Sequence, residues 1–369
     1  VVLYLTDLEG RWDKLVDALE GCALAVLDGD RLVLHPDARL VYGGDTVDRG
    51  PASLRLVRCL VDAAARYGDR VVLLAGNRDI NKLRLPRELG GSPREGAPGP
   101  LPERLKWILE RTMGAGSAFA HRAEEIGGDD DAVVRSFLDE VGEGGSLRAY
   151  LERAQLAYRW RDVLFVHGAV TDASFGQVPL AEPVDGVDRW ILALNRFYAA
   201  QMASYVANPT GFEHDALIAY QAPTPGTRAN PASVVYGRPV DALGNPELPS
   251  TALRARLRAD GIARVVVGHT PSGDTPSFLY DDGFTLILAD NSYSPLERGS
   301  RVELYADHTR LVGTALLDAP TRVDVRLELD IPPPLGTWQE GWLIKGRLDD
   351  AWLGFRFEPG FQAQQQRRD

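Results

Sequence analysis

Short apolar runs recur along the chain, and most of them end on acidic, polar or glycine residues. Val1-Val2-Leu3-Tyr4-Leu5, Arg39-Leu40-Val41-Tyr42 and Arg70-Val71-Val72-Leu73-Leu74 each read as a buried strand. Helical periodicity follows the first run from Asp13 to Gly21 and the second from about Ala52 to Tyr67. Val163-Leu164-Phe165-Val166, Arg264-Val265-Val266-Val267 and Phe284-Thr285-Leu286-Ile287-Leu288 are later runs of the same kind. Strands apolar on both faces, alternating with amphipathic helices, predict an α/β sheet covered on both sides.

Between the third and fourth runs the pattern breaks. Residues 86–102 are rich in Pro and Gly and read as loop, while 103–160 read as mostly helical with an acidic, Gly-rich break near 127–131. An insertion of that length over 86–160 exceeds a plain connection and predicts a helical cap beside the sheet. Gly114, Gly116 and Ser117 read as a tight junction between two of its helices, ahead of the other reading, part of the substrate wall. A further helix spans Asp188 to about Val206, ahead of a Pro-rich loop at 221–232. Beyond residue 300 the chain turns to short strands at 301–305, 310–317, 322–329, 338–345 and 351–357, punctuated by Pro332-Pro333-Pro334. The organisation expected is a main domain over 1–318 and a β-rich extension over 319–369.

Composition narrows the field. With 369 residues and 44% hydrophobic content the chain can bury a large core, and no run approaches the ~20 apolar residues of a membrane span. The 41 basic and 52 acidic side chains leave a net charge of −11, which argues against general nucleic-acid binding and leaves room for a local basic pocket. Cys22 and Cys59 are too few for a disulfide framework and read as buried thiols. No signal-peptide pattern precedes the first strand, so a cytoplasmic location is expected, with no membrane partner. Oligomeric state leaves no mark in the sequence.

The chemistry lies where the strands end. The first run leads into Thr6-Asp7-Leu8-Glu9-Gly10, the second into Gly43-Gly44-Asp45-Thr46-Val47-Asp48-Arg49-Gly50, and the third into Ala75-Gly76-Asn77-Arg78-Asp79. The fourth and fifth lead into His167-Gly168 and Gly268-His269-Thr270. Carboxyl ends of strands in an α/β sheet face a common crevice, so these groups converge. Converging carboxylates repel one another unless a cation neutralises them. Carboxylate, amide and imidazole donors together suit divalent first-row metals.

This ordered series resembles the motifs of the calcineurin-like metallophosphoesterases, in particular the Ser/Thr phosphoprotein phosphatase branch. The family pattern runs Asp-x-His, Gly-Asp-x-x-Asp-Arg-Gly, Gly-Asn-His-Asp/Glu, His-Gly and Gly-His. The resemblance implies a four-layer α/β/β/α sandwich and two divalent metal ions, manganese foremost, with magnesium, iron or zinc as the other candidates. It implies Asp45 bridging both ions, Asp7 and Glu9 completing the first position, and Asn77, His167 and His269 completing the second. A hydroxide between ions ~3.5–4 Å apart would attack phosphorus in line. Asp48, Arg49, Arg78 and Asp79 are the catalytic candidates that it implies. Arg49, Arg78, Lys82, Arg238 and Tyr293 are candidates to contact substrate, with Lys82 and Arg84 expected to reach a further phosphate or an acidic partner.

Two positions depart from the family pattern. Glu9 stands where the first motif has His, which makes the first position all oxygen and favours manganese or magnesium over zinc. Arg78 stands where the third motif has the His expected to protonate the leaving oxygen, a role that a side chain of pKa above ~12 cannot take. Leaving groups that need little protonation, such as phosphoanhydrides and aryl phosphates, are therefore expected to react better than alkyl phosphates. The two replacements conserve summed charge, so Glu9 and Arg78 can pair directly, which would weaken the first metal position. The function expected is metal-dependent hydrolysis of a phosphomonoester, on a phosphoprotein or a small phosphorylated metabolite or nucleotide. The alternative is a metal- or phosphate-binding module with little turnover.

Overall fold

A computed structural model describes residues 1–317, 321–328 and 335–368. The chain opens with β1 (Val2–Leu5), α1 (Trp12–Leu19), the hairpin strands β2 (Ala25–Asp28) and β3 (Arg31–Leu34), β4 (Arg39–Tyr42), α2 (Ser53–Tyr67) and β5 (Val71–Leu73). Two short helices follow, α3 (Asn77–Asn81) and α4 (Leu85–Gly90). The insertion continues as α5 (Leu101–Met113), α6 (Ala118–Ile126), α7 (Asp130–Val141) and α8 (Ser146–Arg153). Next come β6 (Ala157–Trp160), β7 (Val163–Val166), α9 (Val187–Ala207), α10 (Asp215–Tyr220), α11 (Thr251–Ala259), β8 (Arg264–Val267), β9 (Ser277–Asp281) and β10 (Phe284–Leu288). Seven strands close the chain: β11 (Arg301–Leu304), β12 (Thr309–Leu317), β13 (Thr321–Glu328), β14 (Trp338–Gln339), β15 (Trp342–Arg347), β16 (Trp352–Glu358) and β17 (Gln362–Arg368).

Two mixed sheets carry the architecture. One has the order β13-β12-β11-β1-β4-β5 and the other β6-β7-β8-β10-β9. Side chains of a strand alternate between faces, and the core follows that rule. Val2, Tyr4, Val41 and Val72 of the first sheet meet Phe165, Val266 and Ile287 of the second in one apolar layer. Their neighbours Leu3, Leu5, Leu40 and Tyr42 turn outward with Leu56, Val57 and Leu60 of α2, as Leu164 and Val166 do with Trp190 and Leu194 of α9. Two sheets face to face with helices outside are the four-layer sandwich expected from the sequence.

The insertion has a small core of its own, in which Leu85, Leu89, Leu105, Ile108, Met113, Phe119, Val133 and Phe137 pack together. Two local expectations need correction. Residues 85–90 are helical rather than loop, and 157–160 form a strand rather than the end of a helix, because β6 pairs along β7. The boundary expected at 318–319 and the triplet Pro332-Pro333-Pro334 lie outside the described residues. On the far side of that boundary, β13 still extends the first sheet, pairing antiparallel with β12. The strands from β14 to β17 form a separate four-stranded sheet. It is tied to the main body by the buried Lys345, whose ammonium donates to the carbonyls of Ser272 (2.8 Å) and Thr275 (2.9 Å). Among the described residues, no helix is long and apolar enough to cross a membrane.

Candidate active site

Register brings the strand ends level. Leu5 of β1 lies opposite Tyr42 of β4, and the loops beyond stay joined through Asp7 N–H to Gly44 C=O (3.0 Å) and Glu9 N–H to Asp45 C=O (3.1 Å). Asp7, Glu9, Asp45, Asp48 and His269 all hold positive φ (51°, 48°, 56°, 107° and 58°), a backbone region that costs a non-glycine residue about 1 kcal/mol or more. Glycine is required where loops press together. A Cβ on Gly76 would stand 2.2 Å from Asp45 Oδ1, and one on Gly268 would stand 2.2 Å from Asp7 Oδ2.

Asp45, Asn77, His167 and His269 make one half of the cluster. His167 Nε2 lies 3.4 Å from Asp45 Oδ1 and 3.2 Å from Asn77 Oδ1, while its Nδ1 sits 2.7 Å from the Gly43 carbonyl. Donation from Nδ1 to that carbonyl leaves the Nε2 lone pair facing the cluster. Burial opposes charge on this imidazole, yet Asp45 beside it raises its pKa to about 10. His269 is the reverse case: burial first, then Arg238 and His167, keep it neutral, and its buried Nε2 has no hydrogen-bond partner. An unsatisfied buried imidazole nitrogen, an anionic oxygen and an amide oxygen around one point fit a divalent cation.

Asp7 and Glu9 share Asp45 in the other half, where their carboxylate oxygens also come together. Asp7 accepts from Thr6 Oγ1 (2.5 Å) and from the His269 N–H (3.1 Å). Burial, and then Asp290, push its carboxyl well above the usual range. Glu9 is in different company. Arg78 Nε donates to its Oε1 at 2.7 Å, and Arg49 Nε stands 2.8 Å from its Oε2 as a charge contact rather than an aligned hydrogen bond. Burial raises the Glu9 pKa to about 8 against the pull of both guanidiniums. This half fits a metal poorly, because both oxygens of one of its ligands already face a cation.

The remaining predicted residues divide by direction. Arg49 and Tyr293 stand at the mouth, the guanidinium stacked 3.5 Å over the ring. Arg238 lines the crevice beside His269, donating to its carbonyl at 3.2 Å. Asp79 instead turns inward and accepts from the N–H groups of Asp45 (2.9 Å), Thr46 (2.8 Å) and Gly76 (3.1 Å), so it shapes the loop that presents Asp45. Asp48 lies behind Arg78 and holds Lys82 Nζ at 2.8 Å. Lys82 is likewise buried, its other protons taken by the Arg78 carbonyl (3.1 Å) and Asn81 Oδ1 (2.8 Å). The expectation that it reaches a phosphate or an acidic partner is corrected by that geometry: no proton of its ammonium faces the crevice. Arg84 lines the crevice while donating to Glu88 and Thr112.

Three contributors escaped the sequence reading. Asp290, buried beyond the end of β10, lines the crevice, and its carboxyl is pushed up by burial. The strand-end rule that found Asp7 and Asp45 also points to it. Lys14 of α1 is buried with its Nζ on the Asn291 carbonyl (3.0 Å), a burial that its charge hides in the sequence. Glu110–Met113, at the end of α5, wall one side. The crevice has two lobes of about 330 and 390 Å³ that share Asp7, Glu9, Gly114 and Tyr293. Gly114, Gly116 and Ser117 are both a helix junction and part of this wall.

The model of the calcineurin-like phosphoesterase family matches residues 1–273. Solved structures that resemble the chain include a cold-active protein-tyrosine phosphatase of a psychrophilic Shewanella, at 18% identity and a TM-score of 0.49, covering 88% of this chain and 79% of that one. A point mutant of cold-active protein tyrosine phosphatase gives 17%, 0.50, 88% and 79%. A protein serine/threonine phosphatase from Saccharomyces cerevisiae gives 12%, 0.42, 91% and 82%. With most of its length matched, and with the family's ligand types gathered in one crevice, the chain belongs to the calcineurin-like phosphoesterase family and is a metal-dependent hydrolase of phosphoesters.

Proposed function

We propose that the chain hydrolyses a small phosphorylated molecule whose leaving group needs little protonation, a phosphoanhydride or an aryl phosphate, with manganese as the working ion. The observation that carries this is the convergence of Asp45, Asn77, His167 and the unpartnered His269 Nε2 in a crevice walled by the insertion. These four residues would hold a divalent ion. Such an ion supplies an acidified water and a charge on the phosphoryl oxygens.

The chain's own residues supply the rest. Arg49 presents a planar guanidinium at the mouth, pinned between Glu9 and the Tyr293 ring, suited to forked contact with a phosphoryl group. Arg78 contributes fixed positive charge beneath it but no transferable proton, which is the basis for the leaving-group preference. Arg238 and Tyr236 line the opposite side near His269 and are placed to meet the remainder of the substrate. Two lobes of this size, closed on one side by α5, suit a metabolite or nucleotide better than a folded phosphoprotein surface.

Hydrolysis of an aryl phosphate with added Mn²⁺, wild type beside Asp45→Asn, tests the reading. Turnover in the wild type that disappears in the variant supports it. Absence of turnover on aryl phosphates and on phosphoanhydrides alike would refute it.

A further inference from the structure

We propose that the guanidinium of Arg78 is a built-in replacement for one of the two cations, so that the folded chain holds a single divalent ion, at Asp45, Asn77, His167 and His269. This rests on the metal-dependent reading above and concerns how that same centre is assembled.

The geometry points there in three steps. Arg78 Nε lies 2.7 Å from Glu9 Oε1 and 3.6 Å from Asp45 Oδ2, so one cationic group spans two of the three carboxylates of the oxygen-bearing half. Arg49 faces the other oxygen of Glu9 at 2.8 Å. A divalent ion placed among Asp7, Glu9 and Asp45 would have to displace at least one guanidinium or sit against its positive charge in a buried site, where such repulsion is poorly screened.

Arg78 is not free to leave. Its side chain is 9% exposed, and its Nη1 lies 3.4 Å from Asp48 Oδ2. Asp48 is held in turn by the buried ammonium of Lys82 at 2.8 Å, and Lys82 donates back to the Arg78 carbonyl. The chain Glu9–Arg78–Asp48–Lys82 alternates in sign and lies almost entirely out of water. An alternating buried chain keeps each charge compensated, and removing any member leaves its neighbour unpaired.

The two departures from the family's motifs are one change: Glu9 and Arg78, of opposite sign, are in direct contact across 69 positions of sequence.

Metal content decides it. The full-length chain is equilibrated with Mn²⁺, desalted and measured for manganese per chain, with calorimetric titration of the apo form alongside. The expected result is about one ion per chain in the wild type and in Arg78→Lys, binding as a single class of site. The paired change Glu9→His with Arg78→His, which alters the two positions together and conserves their summed charge, is expected to bind about two. Two tightly held ions in the wild type overturn the inference and leave the metal-dependent reading intact. A folded paired variant that still holds one ion overturns it as well, since Arg78 would then not be what excludes the other. A wild type that binds no manganese and hydrolyses nothing refutes both.

Discussion

The two halves of the cluster share Asp45 and sit at neighbouring strand ends, yet they meet their need for positive charge differently. In one half Asn77, His167 and His269 offer neutral lone pairs. A protein cation has little to gain from a neutral imidazole, so only a proton or a metal satisfies that half. In the other half Glu9 offers a carboxylate, and an arginine from the third motif reaches it at 2.7 Å. The difference teaches that an imidazole and a carboxylate are not equivalent metal ligands in a folding chain. A buried carboxylate must be compensated before any metal arrives, and the residue that compensates it then competes with the metal.

The largest test of that asymmetry compares ligand losses in the two halves. His269→Ala should lower turnover about a thousandfold, the scale of losing a principal electrostatic stabiliser, and should abolish manganese binding. Glu9→Gln should leave the manganese content where it was. Equal loss of metal in both variants would erase the distinction. Next comes the support behind Arg78: Lys82→Ala strips the buried Asp48 of its partner and should cost about 3–5 kcal/mol in urea unfolding, far more than a surface lysine. A change within about 0.5 kcal/mol would show that the alternating chain contributes little. Arg49→Lys keeps the charge at the mouth but loses the fork, and should reduce kcat/KM on an aryl phosphate about tenfold, with ion content unchanged. The smallest effect sharpens the role of Arg78. The ratio of aryl to alkyl phosphate hydrolysis should narrow several-fold in the paired Glu9→His, Arg78→His variant, because an imidazole can donate a proton. A ratio that stays fixed would remove Arg78 from the leaving-group argument.

Much of this centre was legible in the sequence because it is built from strand ends. A short apolar run fixes a strand, the strand fixes where the next two or three residues point, and Asp7, Asp45, Asn77, His167 and His269 all follow that rule. Asp290 follows it too, two residues beyond β10, and was missed only because no recognised motif surrounds it. Direction was the harder matter. Nothing in Asn81-Lys82-Leu83 distinguishes a lysine aimed at substrate from one turned inward onto Asp48, since that choice depends on a partner 34 positions away. The pairing of Glu9 with Arg78 was foreseeable from opposite charge changes in two motifs that share a crevice. The partners of the late strands were not legible, because antiparallel strands of similar pattern can join any open edge. The continuation of the first sheet into β13 therefore emerges only from the fold.

The left-handed backbone at Asp7, Glu9, Asp45, Asp48 and His269 has a consequence for anyone who alters this protein. A search for thermostability would be drawn to Asp7, Asp45 and His269 among them, where glycine would relieve local strain worth about 1 kcal/mol or more apiece, whereas at Glu9 and Asp48 the loss of a buried charge partner outweighs that relief. Every such improvement deletes a ligand or one of its supports. The most attractive sites for hardening the molecule are thus the ones that do its chemistry. A heat-tolerant variant obtained through them would be expected to survive as a fold and to have lost its occupation.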